Sequence, residues 1–168
     1  MIIHCSQKLA ARLKDVSDVP LAETSPLGSW HAHLFTLDRR QCVMFCHDAT
    51  RYTLFASGLR KEHFADLGGS CFRPLFLSTL VALGCSTAQL LKAELALGPL
   101  RFDKAIDRSV QGSLRVAKWD VEAWVYQVAN VMELDAFALS CKLNERPVTA
   151  NGKNLWPDDE MREAVRRL

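Results

Sequence analysis

Residues 30–56, WHAHLFTLDRRQCVMFCHDATRYTLFA, decide the fold class. Two runs, Trp30–Leu37 and Gln41–Cys46, are rich in aromatic, β-branched and other apolar residues, and only the polar group Asp38, Arg39 and Arg40 separates them. That spacing is what a β-hairpin requires, and a third strand, Arg51–Ala56, is expected after the turn His47–Thr50. With Leu37 opposite Cys42, one face of the hairpin carries His33, Phe35, Leu37, Cys42, Met44 and Cys46. The other carries Trp30, Leu34, Val43 and Phe45. Both faces are apolar. A sheet with one wet face alternates apolar with polar residues, so this one is expected to be covered on both sides.

Toward the N-terminus, Met1–Cys5 reads as a short strand. Ser6–Val16 reads as a helix capped by Ser6, with Leu9, Leu13 and Val16 on one face, and residues 17–29, with Pro20, Pro26 and Gly28, as a loop. Downstream the period becomes helical. Ser70 is placed to cap a helix carrying Phe72, Phe76, Leu80 and Leu83, and Ser86 with Gln89 forms a capping-box pattern for the next, which stops at Gly98 and Pro99. Leu100–Ala105 suggests another strand. From Val110 through Leu114, Ala117, Val121 and Val125 to Val128, apolar residues recur in steps of three and four, predicting a helix of ~35 Å at ~1.5 Å per residue. A helix near Leu134–Leu143, a loop over Asn144–Asn154 and a terminal helix from Asp158 complete the pattern. The expected architecture is a single α+β domain over residues 1–168: a mostly antiparallel sheet from the N-terminal half, packed by helices of the C-terminal half.

Several motifs occur in order along the chain. They are Trp30-His31-Ala32, Asp38-Arg39-Arg40-Gln41-Cys42-Val43, Gly58-Leu59-Arg60-Lys61, Arg108-Ser109-Val110 with Gly112-Ser113, and Leu143-Asn144 with Pro147. Together they resemble an uncharacterised bacterial family classed as a domain of unknown function, from which the chain departs at Arg115 and Val116 and at Glu145 and Arg146 before Pro147. The resemblance implies no activity.

Composition narrows the partners. The net charge is +2 and 24% of residues are charged, too balanced to demand a polyanion, although residues 101–118 hold five cations against two carboxylates. No apolar run reaches the ~18 residues of a membrane span, and the N-terminus lacks the pattern of an export signal. A cytoplasmic chain whose six cysteines are reduced thiols is therefore expected, with no membrane partner.

The chemistry-bearing residues are scattered. His31 and His33 share a strand face with Cys46 within reach, but zinc needs about four converging ligands and no CxxC or HxxxH spacing supplies them, so neither a metal nor another cofactor is expected. No GxSxG, GxGxxG or GxxxxGK[ST] pattern occurs, and catalysis is neither indicated nor excluded. The turn Leu83–Ser86 between two helices resembles a helix-turn-helix, but the second helix is leucine-rich, and nucleic acid is a poor match. Basic groups remain. Arg39, Arg40, Arg60 and Lys61 lie at turns, while Arg108, Ser109 and Ser113 sit at the start of the long helix, whose unpaired N–H groups attract anions. The expected function is a small module that binds an anionic ligand or partner. The alternatives are an enzyme acting on phosphate or phosphodiester groups and a DNA-binding protein working through residues 71–97.

Overall fold

The computed structural model describes residues 1–150 and 152–168. The hairpin forms as strands β2 (Trp30–Leu37) and β3 (Arg40–His47), followed by β4 (Thr53–Leu59). Its register differs from the expected one: Leu37 pairs with Arg40 and Phe35 with Cys42. The difference is two residues, and side chains alternate with a period of two, so the faces are unchanged. Trp30, Ala32, Leu34, Val43 and Phe45 enter one core, and Phe35, Cys42, Met44 and Cys46 enter the other. The same register puts His31, not His33, opposite Cys46.

The helices cover both faces. On the first side lie α1 (Gln7–Ala10), α3 (Arg73–Ala82), α4 (Thr87–Leu97) and α7 (Pro157–Arg166); on the second lie α5 (Arg108–Val125) and α6 (Ala136–Asn144). A short helix α2 (Lys61–Ala65) follows β4.

The sheet itself corrects the expectation. Its order is β4-β3-β2-β1-β5, in which the two further expected strands form as β1 (Ile2–Cys5) and β5 (Arg101–Asp103). β1 runs parallel to β2 on one side and to β5 on the other, so the sheet is mixed and not mostly antiparallel. β5 also comes from the C-terminal half. The segment between β1 and β2 acts as a crossover, and nothing in a strand's own residues names its neighbour.

Local corrections have local reasons. Ser6 caps α1 by accepting from Leu9 N at 3.4 Å, but the helix stops at Ala10, and Val16, expected on its face, instead bridges to Phe102 at the β5 edge. Ser70 does not cap α3: its hydroxyl donates to the Asp66 carbonyl, and the helix is entered through a π-helical turn, Gly68–Phe72. α5 spans 18 residues, ending at Val125 rather than Val128, and is about 27 Å long. The segment expected as the loop Asn144–Asn154 contains β6 (Val148–Ala150), paired with β7 (Lys153–Leu155); Asn151 lies outside the described residues.

The outer edge of the sheet is sealed by side chains of α6. Asn144 accepts from Thr53 N at 2.7 Å and donates to Thr53 O at 2.8 Å, while the Ser140 hydroxyl accepts from Phe55 N at 2.9 Å. These bonds satisfy β4 backbone groups that would otherwise offer a template to another strand.

The α3–α4 hairpin packs by one face only. Leu97 is fully buried and Leu90 half-buried, whereas Leu91 and Leu95 are exposed. Leu97→Ala should therefore lower unfolding free energy by about 2 to 5 kcal/mol in a denaturant titration, and Leu91→Ala by no more than about 0.5 kcal/mol.

His47 is buried and its ring spans two partners. Nε2 donates to Leu27 O at 2.6 Å, and Nδ1 accepts from Thr50 N at 3.2 Å. Burial holds its pKa below the ordinary 6.5, so the unfolded chain takes up a proton more readily than the folded one. Stability is then lost as pH falls through 6.5. Melting temperature should drop between about pH 7.5 and about pH 5.5, and the drop should be smaller in His47→Gln.

Candidate functional site

The chain leaves β1 into α1 on one face of the sheet and leaves β5 into α5 on the opposite face. Two neighbouring parallel strands whose following helices part in this way open a crevice beyond their carboxyl ends, the usual ligand position in α/β sheets. A cleft of about 760 Å³ occupies this position, lined by the end of β1, the first residues of β2, the start of α1, the loop between β5 and α5, and α5 as far as Lys118.

Beneath it runs a polar row across three strands. Register sets His4 beside His31 on one side and beside Asp103 on the other. His4 Nδ1 meets Asp103 Oδ1 at 2.5 Å, and the fully buried Asp103 carboxylate also accepts from Leu21 N at 2.8 Å and Ala105 N at 3.0 Å. Burial opposes ionisation of Asp103, but these hydrogen bonds and His4 outweigh it and hold the carboxyl below its ordinary range. His31 Nδ1 lies 2.7 Å from Asp48, and His31 Nε2 accepts from Asp107 N at 3.0 Å. Burial also works against the Asp48 charge, yet His31 and Ser29 keep its pKa low. His33, half-buried beside Lys118 and Lys8, is pushed toward its neutral form first by burial and then by these cations. Among the described residues His4 Nε2 makes no hydrogen bond, and the Asp48 carboxylate lies 3.8 Å from it.

The rim is cationic. Lys8, Lys104, Arg108, Arg115 and Lys118 line the cleft, and no carboxylate does among the described residues. Lys104 pairs with Asp18 and Lys118 with Glu122, whereas Lys8, Arg108 and Arg115 have no acidic partner among the described residues. Gly112, in the second turn of α5, also faces the cleft, with nothing within 4 Å of the position a Cβ would take. The Cys5 thiol lines it too, but burial and the nearby Asp103 raise its pKa to about 12, making it a poor nucleophile.

The seven residues expected from sequence fall into three groups. Arg108 is exposed and lies on this rim. Ser109 and Ser113 do not line the cleft: Ser109 accepts from the buried Arg51 at 3.0 Å, and Ser113 donates to Ser109 O. The α5 N-terminus is not a free anion trap either, because Asp107 caps it by accepting from Ser109 N and Val110 N at 2.7 and 3.1 Å. Arg39, Arg40, Arg60 and Lys61 converge with Arg12 on a separate cleft of about 680 Å³ at the tip of the hairpin.

Sequence reasoning missed His4, Asp103, Lys8, Arg115 and Lys118 as site residues. His4 and Asp103 stand 99 positions apart, and only the β1–β5 pairing joins them. No group of three or more His, Cys, Asp and Glu side chains suited to a metal ion occurs among the described residues.

A family profile described as a domain of unknown function (DUF6933) matches residues 2–160. The chain belongs to this family. The match spans both clefts and every element of the five-stranded sheet. A search of the curated proteins found no match. No function is attached to the family, so a functional reading of the DUF6933 fold has to come from its own chemistry.

The bonds around His31 prescribe one tautomer, with the proton on Nδ1 facing Asp48 and a lone pair on Nε2 facing Asp107 N–H. Nitrogen NMR of the imidazoles near neutral pH should find His31 protonated at Nδ1. Protonation at Nε2 alone would contradict this arrangement.

Proposed function

We propose that the protein is a binding module for an anionic small ligand, a phosphate-bearing one, seated in the switch-point cleft. The observation that carries this reading is the cleft wall itself: five cations and three histidines surround it without one carboxylate. Like charges gathered around a concavity repel one another and focus a positive potential into it, an arrangement that an anion relieves.

Gly112 adds independent support. A glycine inside a helix costs about 0.5 to 1 kcal/mol relative to alanine, and here no neighbouring atom requires it. A ligand that approaches the α5 backbone would.

The alternative reading, an enzyme acting on phosphate or phosphodiester groups, draws support from the His4–Asp103 pair. A buried carboxylate holding Nδ1 orients the ring and leaves Nε2 free to accept or donate a proton at the cleft. Release of nitrophenolate from p-nitrophenyl phosphate that disappears in His4→Gln would favour this reading over a module. The DNA-binding reading has little support. The exposed side of α4 offers Ala88, Leu91 and Leu95, and the charge of Lys92 is offset by that of Glu94 on the same helix, which is not the face of a groove reader.

The test is a titration with inorganic phosphate at low ionic strength, followed through backbone amide shifts. The amides of Arg108 and Gly112 should move in a saturable way. Arg108→Ala and Gly112→Glu should each weaken the response about tenfold or more, with the melting temperature nearly unchanged, since one removes a cation and the other puts a carboxylate in the open space. Absence of any shift at these amides, or equal affinity in both variants, would overturn the proposal.

A further inference from the structure

The cleft at the hairpin tip shares no lining residue with the switch-point cleft. We infer that it is a second anion site, built for a multiply charged phosphate such as a pyrophosphate group, and that Arg39 is kept there at the expense of stability. This inference stands independently of the function proposed for the first cleft.

Three chain segments deliver five cations to it: Arg12 beyond α1, Arg39 and Arg40 from the β2–β3 turn, and Arg60 with Lys61 from the β4–α2 junction. No carboxylate lines the cleft, and none of the five is in an ion pair among the described residues. The acid at the turn, Asp38, is drawn off by accepting from Val131 N at 2.8 Å.

The backbone is bent to make this gathering possible. Asp38 and Arg39 form a two-residue turn with φ values of 47° and 62°. Both are left-handed, and the second position of such a turn strongly favours glycine. Arginine there carries strain that glycine would relieve, the kind of cost found where a side chain has a task. Across from the turn, Gln41 pairs with Leu59 but Val43 pairs with Ala56, so β4 holds one extra residue. Gly58 occupies that bulge at φ 68°, and a Cβ there would lie 2.7 Å from the Met132 side chain. The bulge re-aims the end of β4 and places Arg60 and Lys61 alongside the turn.

Ligand class follows from charge and shape. One phosphate carries about two negative charges at neutral pH, too few for five cations, whereas a pyrophosphate spreads more charge over a longer span. Arginine forks suit phosphate oxygens in bidentate fashion, and Leu59, Phe64 and Met132 give the cleft an apolar side on which such bonds are less hydrated.

The test is a titration with inorganic pyrophosphate at low ionic strength, read by calorimetry and by the amides of Arg39, Gly58 and Lys61. Saturable shifts at these amides are expected, with inorganic phosphate binding there about tenfold more weakly or worse. Arg39→Gly should lose about tenfold or more in pyrophosphate affinity while melting at a higher temperature than the parent. Arg60→Gln should lose affinity similarly, whereas Gly112→Glu, in the other cleft, should leave these shifts unchanged. Unchanged affinity in Arg39→Gly, a lower melting temperature in that variant, or equal binding of phosphate and pyrophosphate would overturn the inference.

Discussion

Four residues, Ile2–Cys5, form the strand on which the rest of the molecule depends, because β1 lies between β2 and β5 and runs parallel to both. A parallel neighbour cannot be reached through a tight turn, so each pairing forces a long excursion of the chain. The first excursion carries α1 over one face, and α5 follows β5 over the other. The crevice between them is a direct product of this pairing. Ile2 and Ile3 are fully buried, as a strand covered on both faces demands. His4 is the polar exception in the middle of β1. It is tolerated because Asp103, its register partner on β5, supplies a charged hydrogen-bond acceptor that is itself satisfied by two backbone N–H groups.

The same sheet is protected at both edges. Ser140 and Asn144 of α6 bind the outer backbone of β4, and Ser17 N donates to Phe102 O at the other side. With its backbone groups engaged in this way, the sheet meets its surroundings through side chains, and those are unevenly charged. Many acids are paired off along helices: Asp159 with Arg162, Glu163 with Arg166 and Arg167, Asp120 with Arg146. The two clefts, in contrast, are lined by cations without a carboxylate. A net charge of only +2 therefore conceals two strongly positive concavities, and local potential, rather than total charge, is what a small anion senses.

Both clefts also keep residues that stability alone would not select. Gly112 weakens α5 where no neighbour crowds it, and Arg39 occupies a left-handed turn position suited to glycine. The ligands proposed for the two clefts would account for such features, which cost stability without a packing reason.

What the sequence determined by itself was whatever depends on neighbours a few positions apart. Alternation of apolar residues sorted Trp30, Leu34, Val43 and Phe45 from Phe35, Cys42, Met44 and Cys46, and it survived a register two residues away from the expected one, because both registers share the same parity. The three-to-four spacing of Val110, Leu114, Ala117 and Val121 likewise marked the buried side of α5. The basic turns could be seen as Arg39, Arg40, Arg60 and Lys61, but not that Arg12 would join them or that Ser109 and Ser113 would turn away to Arg51 and the helix backbone. Tertiary structure alone decided that β1 would pair in parallel with β2 and β5, and with it the meeting of His4, His31 and Asp103. The reason is that periodicity reports which side of an element is apolar, whereas the choice of partner strand depends on burial summed over the whole chain, and no single segment carries a local record of that sum.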